Sequence, residues 1–433
     1  MAHSPFPDHP LRQMLAGEIH ARPFEQAVPP LRASHLAILH QGDEETERAV
    51  LKDLLAPHGA ELPAPGTIHM IRDLGALRLR WERHTEFSTY TFLRNDGFDA
   101  PFDATALDLV PQVWLSQLPG PVIAAVHLAF EDQPRDSDAV AAFFAGNQLV
   151  GSIVQDGAAE IWSDFRIHAD GFGRILIRNR ALSPGQSGRL LQRVCDLETY
   201  RLMALLALPD AKQVHGAVSR IDRALADIIT NIASAGGLES ERDLLDQLTR
   251  LAAETEQMDA ATSFRLGAAR AYWAIVQQRI GTLREVRISG FQTIGEFMER
   301  RLAPAMKTCD SASERQGTLS ERVARASDLL RTRVNIALSE NNRDLLRSMD
   351  ARVSMQLQLQ ETVEGLSVVA ISYYLMGLVG YANKGLKSIG IGIDPDLFTL
   401  IALPIIVGAT YVAVKRLRHA LSHHTHQADT PKE

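Results

Sequence analysis

Two uncharged runs near the C-terminus constrain this chain more than any other feature. From Gly365 to Asn383, and again from Leu397 to Val414, no residue carries a charge. Each run is about 18–19 residues long, the length at which an α-helix crosses a roughly 30 Å hydrocarbon layer. Both are read as transmembrane helices. Pro404 lies inside the second, and membrane helices tolerate proline where neighbouring groups re-satisfy the carbonyl it frees. Arg343, Arg347 and Arg352 precede the first run and Lys415, Arg416 and Arg418 follow the second, while Lys384 and Lys387 between them are offset by Asp394 and Asp396. That bias of lysine and arginine puts both termini in the cytoplasm. The N-terminus, which lacks a basic segment followed by an apolar one, agrees.

At 433 residues the chain is long enough for two or three units. Residues 1–185 are expected to form an α+β domain, a mixed sheet of about six or seven strands with helices packed on it. Strand then helix is read in "RASHLAILH" and "DEETERAVLKDLLAPHG". Leu77, Leu79 and Trp81 alternate with Arg78, Arg80 and Glu82, the period of a strand with one wet face. Asp156-Gly157 and Asp170-Gly171 read as hairpin turns. Over 186–364 strand signals give way to a helical stalk, broken at Pro209, Gly236-Gly237 and Pro304. Its last helix, from about Thr318, is expected to run directly into the first span, with Val323, Leu330, Val334, Leu338, Leu345, Met349 and Val353 as an apolar stripe. The spans then occupy 365–383 and 397–414, and 415–433 forms a basic, histidine-containing tail.

A net charge of −7 gives no basic footprint, so nucleic acid is not an expected partner. Cys195 and Cys309 form no metal-binding spacing. No GxSxG, HExxH, kinase set or GxGxxG occurs, and the chain is read as a non-enzyme. His9, Glu18, His20, Arg22 and His35 crowd the stretch from His9 to His35, and the first four of them are ligand or metal candidates. Docking of that segment on the sheet is the plainer expectation. Glu82 and His84 alternate on one strand face, which reads as exposed sheet or as a binding patch.

The stripe entering the bilayer carries Gln356, Gln360, Glu364 and Ser367. Polar residues at a helical seam set register or line a bundle axis. The order of parts, an α/β domain, a helical middle, one long helix, two spans and a basic tail, resembles the CorA magnesium-channel superfamily. The resemblance implies a pentamer whose first span lines the pore and ends in a Gly-Met-Asn loop. Tyr381-Ala382-Asn383 stands at that position, matching only in asparagine, and Lys384 adds a positive charge beside it. Asn383, Lys384, Asp394 and Asp396 are therefore the mouth candidates, with a divalent cation as ligand or substrate. "HPLRQMLAGEIHARP", "WERHTEFSTYTF" and "ETVEGLSVVAISYYLMGLVGYANKG" are moreover similar to a family of uncharacterised membrane-anchored bacterial proteins, a domain of unknown function. Two readings result, with the bilayer and further copies of the chain as partners and the bacterial inner membrane as location. One is a cation channel gated by its cytoplasmic domain. The other is a scaffold or sensor whose two spans are only an anchor.

Overall fold

The computed structural model describes residues 9–12, 15–16, 24–40, 44–234, 236–388, 390 and 394–425. Internal contacts divide the chain into a unit of Met1–Ala235 with Asp243–Leu329 and a second of Gly236–Arg242 with Leu330–Glu433.

The first unit is built on a nine-stranded sheet. Its strands are β1 (Leu31–Leu39), β2 (His69–Asp73), β3 (Arg78–Arg83), β4 (Phe87–Arg94), β5 (Val122–Glu131), β6 (Val150–Val154), β7 (Ala159–Ser163), β8 (Gly173–Asn179) and β9 (Val286–Arg287). They lie in the order β2-β3-β4-β1-β5-β8-β7-β6-β9. Only β5 and β8 pair in parallel; every other neighbouring pair is antiparallel. The expected α+β arrangement is present, with more strands than the sequence announces. The late strand β9 is two residues long and joins the edge at β6 after a long helical stretch. So short a segment carries no readable alternation, which is why strand signals seem to end near residue 185.

Alternation along the strands sorts side chains to two faces. On one face Leu36, Ile38, Leu79, Trp81, Tyr90 and Phe92 pack against Leu51, Leu54 and Leu55 of helix α1 (Glu44–Leu55) and against Trp114 of the short helix α2 (Gln112–Leu115). Glu47 belongs to the same buried stripe of α1, one turn before Leu51. Its carboxylate accepts hydrogen bonds from Trp81 Nε1 and Tyr90 OH, both at 2.9 Å, and is ion-paired with Arg83. Near the far end of the sheet, Val140 of the short helix α3 (Ser137–Ala142) packs with Phe144 and Trp162. The β6–β7 hairpin turns through Gln155, Asp156 and Gly157, all at positive φ (53°, 57° and 95°), with Asp156-Gly157 at the centre of the four-residue loop as expected. Those angles suit the primed turns that match strand twist.

The opposite face is covered by helix α4 (Pro184–Leu205), started by Pro184 behind a Ser183–Gln186 capping box. Ala37, Phe87 and Ala124 of the sheet meet Met203 there. The segment before β1 lies against the start of α4, with Ala27 N–H donating to the Pro184 carbonyl at 3.0 Å and Arg189 over the Phe24 ring at 4.6 Å. Contact is closest at Gly188, where a Cβ would fall 1.6 Å from the Glu25 carbonyl oxygen. Gly188→Ala is therefore expected to lift this segment off and cost about 1–3 kcal/mol. A thermal melt with limited proteolysis checks it; unchanged stability and an uncut segment would refute it.

Helices α5 (Leu208–Ser234), α6 (Leu238–Leu283), α7 (Ile294–Arg301) and α8 (Ala303–Ser388) follow. Val214, Val218, Ile221, Leu225, Ile228 and Ile232 of α5 are buried at alternating steps of four and three, the seam of a helical bundle. The last long helix begins at Ala303, not near Thr318, and runs without a break through Gly317. A mid-helix glycine costs about 1 kcal/mol, and burial of Met306, Cys309, Ala312, Gln316 and Leu319 around it offsets that. The Gln316 amide donates to Asp259 of α6 at 2.8 Å.

In the second unit α8 continues from Leu330 to Ser388 and helix α9 spans Pro395–Thr425. Both are long and apolar enough to cross a membrane, with 18-residue windows of mean hydropathy 1.5 and 1.4. The apolar stripe is buried at Leu330 and Val334 and exposed at Leu345, Met349 and Val353.

Candidate functional site

In the first unit the strand face read as wet is closed. Arg80 and Glu82 are 8% and 7% exposed, because α4 lies over them. Pairing aligns Arg80 with Thr91, Thr91 with His35 and Glu82 with Thr89. This polar row on β3, β4 and β1 meets Cys195, Asp196 and Thr199 of α4 around an enclosed cavity of about 30 Å³, room for a water-sized occupant. Glu82 is thus not exposed sheet surface: it is a buried carboxylate held by Arg80 Nη2 at 2.8 Å. His84 also borders the cavity, its ring stacked on Phe87 at 4.4 Å.

His35 is the fixed point of the cluster. Its Nδ1 is 2.8 Å from Thr91 Oγ1 and its Nε2 is 2.9 Å from Thr199 Oγ1, so both ring nitrogens are satisfied by hydroxyls. Burial pushes its pKa down to about 3 against a partly compensating pull from Glu82, and the ring is neutral at physiological pH. Glu82 moves down as well: burial pushes it up, and the charge and hydrogen bond of Arg80 outweigh that. Asp196 moves the other way, to about 6, because burial outweighs the attraction of Arg279 of α6, whose Nε donates to it at 3.0 Å. One carboxyl in the cluster therefore changes charge near neutrality while the histidine does not. Nearby, Arg265 and Tyr272 of α6 both bond Glu86, and the Tyr272 ring stacks on Tyr200 of α4 at 5.6 Å. Asp196 at the pocket and Glu86 beside it are thus both held by side chains of α6.

His9 lies among the described residues, on an exposed stretch where its Nδ1 accepts from the Leu11 N–H at 3.2 Å. Glu18, His20 and Arg22 lie outside them. No group of three or more potential metal ligands occurs among the described residues. Sequence reasoning counted His35 only as the end of the histidine-rich N-terminal stretch and missed Asp196. The legible signal for His35 is a histidine, with Ser34 beside it, inside the apolar run "LRASHLAIL".

In the second unit Asn383 and Lys384 are helical, within the last turns of α8, and do not begin a loop. A run of mutually hydrogen-bonded residues continues the helix there to Ser388. Lys384 Nζ lies 5.9 Å from the Tyr381 ring centroid. Asp394 and Asp396 mark the start of α9, with Asp396 N–H donating to the Asp394 carboxylate at 3.1 Å. Gln356 and Gln360 are exposed, whereas Glu364 and Ser367 are half-buried. Glu361, Glu364, Gly365 and Val368 of α8 line one pocket with Tyr411, Val414 and Lys415 of α9, so the two helices lie side by side at this end. Ser372 and Thr410 are the buried polar residues of the apolar stretches, and Ser367 and Thr410 return their hydroxyls to the Val363 and Ile406 carbonyls at 2.8 and 2.7 Å. The faces turned outward are apolar and aromatic, with Leu366, Tyr373, Tyr374 and Leu400 all more than two-thirds exposed.

No curated protein and no solved structure matches this chain. A family model does, over residues 7–421. That span takes in the N-terminal segment, the sheet with its enclosed pocket and both apolar helices, and the chain belongs to the family described as "Protein of unknown function (DUF3422)".

Proposed function

We propose that the protein is a membrane-tethered sensor or scaffold of the bacterial inner membrane. Its two apolar helices form a hairpin anchor, and its α+β unit works on the cytoplasmic side as part of a homo-oligomer. The observation that carries this is the character of the spans: their outward faces are apolar and aromatic, while Ser372 and Thr410 are buried. A face of this kind suits lipid and helix contacts, whereas an ion path needs a polar lining. Self-association is supported by α8 between residues 336 and 363, where Ile336, Leu345, Leu346, Met349, Val353 and Leu357 are all at least half exposed. Large apolar patches of this kind mark interaction surfaces. Leu345→Glu with Met349→Glu is expected to shift the detergent-solubilised protein from oligomer to monomer in light scattering; a monomeric unmodified chain would sink the oligomer.

A CorA-like channel is the second reading, favoured by the unbroken passage of α8 from the bundle of the first unit into an apolar stretch. Divalent-cation flux into liposomes separates the two. For an anchor, flux through inserted protein is expected to match that of empty liposomes, with Asn383→Ala and Lys384→Ala indistinguishable from the unmodified chain. Flux that Asn383→Ala abolishes would overturn the anchor and establish the pore.

A further inference from the structure

A second cleft in the first unit stands apart from the pocket under α4. The loop after β7, the C-terminal half of α4 and helix α7 border about 410 Å³ of open space, within the roughly 300–1,000 Å³ of small-molecule sites. Phe165 and Phe297 stack at its wall, with centroids 4.9 Å apart and planes 16° from parallel, and the Arg201 guanidinium lies 5.3 Å from the Phe165 centroid. Phe165 is at φ 52°, a left-handed backbone that a bulky residue rarely adopts. Local bonds hold it there: its N–H donates to Ser163 Oγ at 3.0 Å, and the next N–H, of Arg166, donates to the Asp164 carboxylate at 3.2 Å. Such outliers persist where the surroundings over-determine them, and they cluster at ligand sites.

The charges of the cleft do not balance. Asp164 is engaged by Asn147 at 2.8 Å and by His168 at 2.9 Å, and Arg201 is held by both carboxylate oxygens of Glu198. Arg166 and Arg301, which line the same cleft, are exposed and carry no ion pair among the described residues. Two unanswered guanidiniums beside an aromatic wall suit a dianion attached to a flat or apolar body, because guanidinium forks match phosphate oxygens and ring faces pack on rings.

We propose that this cleft binds a small organic phosphate, its phosphate held by Arg166 and Arg301 and its ring or apolar body against Phe165 and Phe297. The proposal is independent of the tethering reading, since an anchor or a channel could equally carry the site. Calorimetric titration of the full-length protein in detergent tests it, with phenyl phosphate, inorganic phosphate and benzyl alcohol as probes. Phenyl phosphate is expected to bind saturably and more tightly than either other probe. The exposed pair Arg166→Ala with Arg301→Ala should weaken it at least about tenfold, equivalent to about 1.4 kcal/mol, without moving the melting temperature. Phe297→Leu should weaken phenyl phosphate and leave any binding of inorganic phosphate unchanged. No saturation below about 10 mM, a Kd beyond which binding is worth less than about 3 kcal/mol, would overturn the site. So would equal binding by the double variant, or inorganic phosphate or benzyl alcohol binding as tightly as phenyl phosphate.

Discussion

Replacing Asp196 by asparagine is expected to steepen the loss of stability that the first unit suffers in acid. His35 has a folded pKa of about 3 against 6.5 when free, so unfolded chains take up a proton below 6.5 that folded chains refuse. Its contribution is complete above pH 6.5 and is lost as pH falls toward 3, about 5 kcal/mol in all at roughly 1.4 kcal/mol per unit. Asp196 has the opposite slope. Its folded pKa of about 6 exceeds the free value of 3.8, so its contribution is complete below 3.8 and about 3 kcal/mol is lost as pH rises to 6. Between about pH 6 and 4 these two slopes nearly cancel each other, which leaves the slopes of the other shifted groups of the first unit, among them His127, which burial lowers to about 4, and Glu82, which Arg80 lowers. Asp196→Asn removes one slope, and denaturant midpoints of the variant should then fall steadily from pH 6.5 downward. His35→Asn should do the reverse, with midpoints that start lower, since Thr91 and Thr199 lose their partner, and that fall less on acidification than those of the unmodified chain. Parallel pH profiles for all three proteins would refute the assignment of either group.

The cluster behind that prediction was half legible. Alternation in "GALRLRWERH" correctly assigned Arg80 and Glu82 to one face of β3, but period alone identifies a face and says nothing about what covers it. What covers it is α4, whose inward side carries Ser187, Glu198 and Thr199 among its apolar residues. A polar sheet face and a partly polar helix meet here and are joined by the bond between His35 and Thr199, and neither is a hydrophobic signal when read by itself. His35 and Asp196 lie far apart in sequence and meet only through this packing.

In the C-terminal part the position is reversed. Uncharged length identified two segments that lie in helices long and apolar enough to cross a membrane, because length and composition are local quantities. The point where the first of them ends was not local in the same way. Lys384 and Lys387 end the uncharged run, yet lysine is a good helix former and the backbone continues to Ser388. Asn383 and Lys384, set at the mouth of a pore by resemblance, are consequently part of α8. The direction of Ser367 and Glu364 along α8, partly covered beside α9, likewise depends on packing that spacing does not encode.

Glu47→Ala should be among the most damaging single substitutions in the first unit, by about 3–5 kcal/mol, the range for removing one member of a buried ion pair. Glu47 is 3% exposed, and the substitution takes the acceptor from the Trp81 indole N–H and the Tyr90 hydroxyl and one ion-pair partner from the partly exposed Arg83. The carboxylate also drives the Tyr90 hydroxyl pKa upward, after burial itself, by opposing a second negative charge beside it. The cost should come from orphaned partners more than from the lost ion pair, and that distinction is measurable. In Glu47→Leu with Arg83→Met and Tyr90→Phe, the charge and one donor are removed along with the acceptor. Because apolar replacement of a buried ion pair is often neutral or better, the triple variant should unfold at a higher denaturant concentration than Glu47→Ala alone. If the triple variant is as unstable as the single one, the pair itself contributes the stability, and α1 is fastened to the sheet by charge in place of the apolar contacts of Leu51, Leu54 and Leu55.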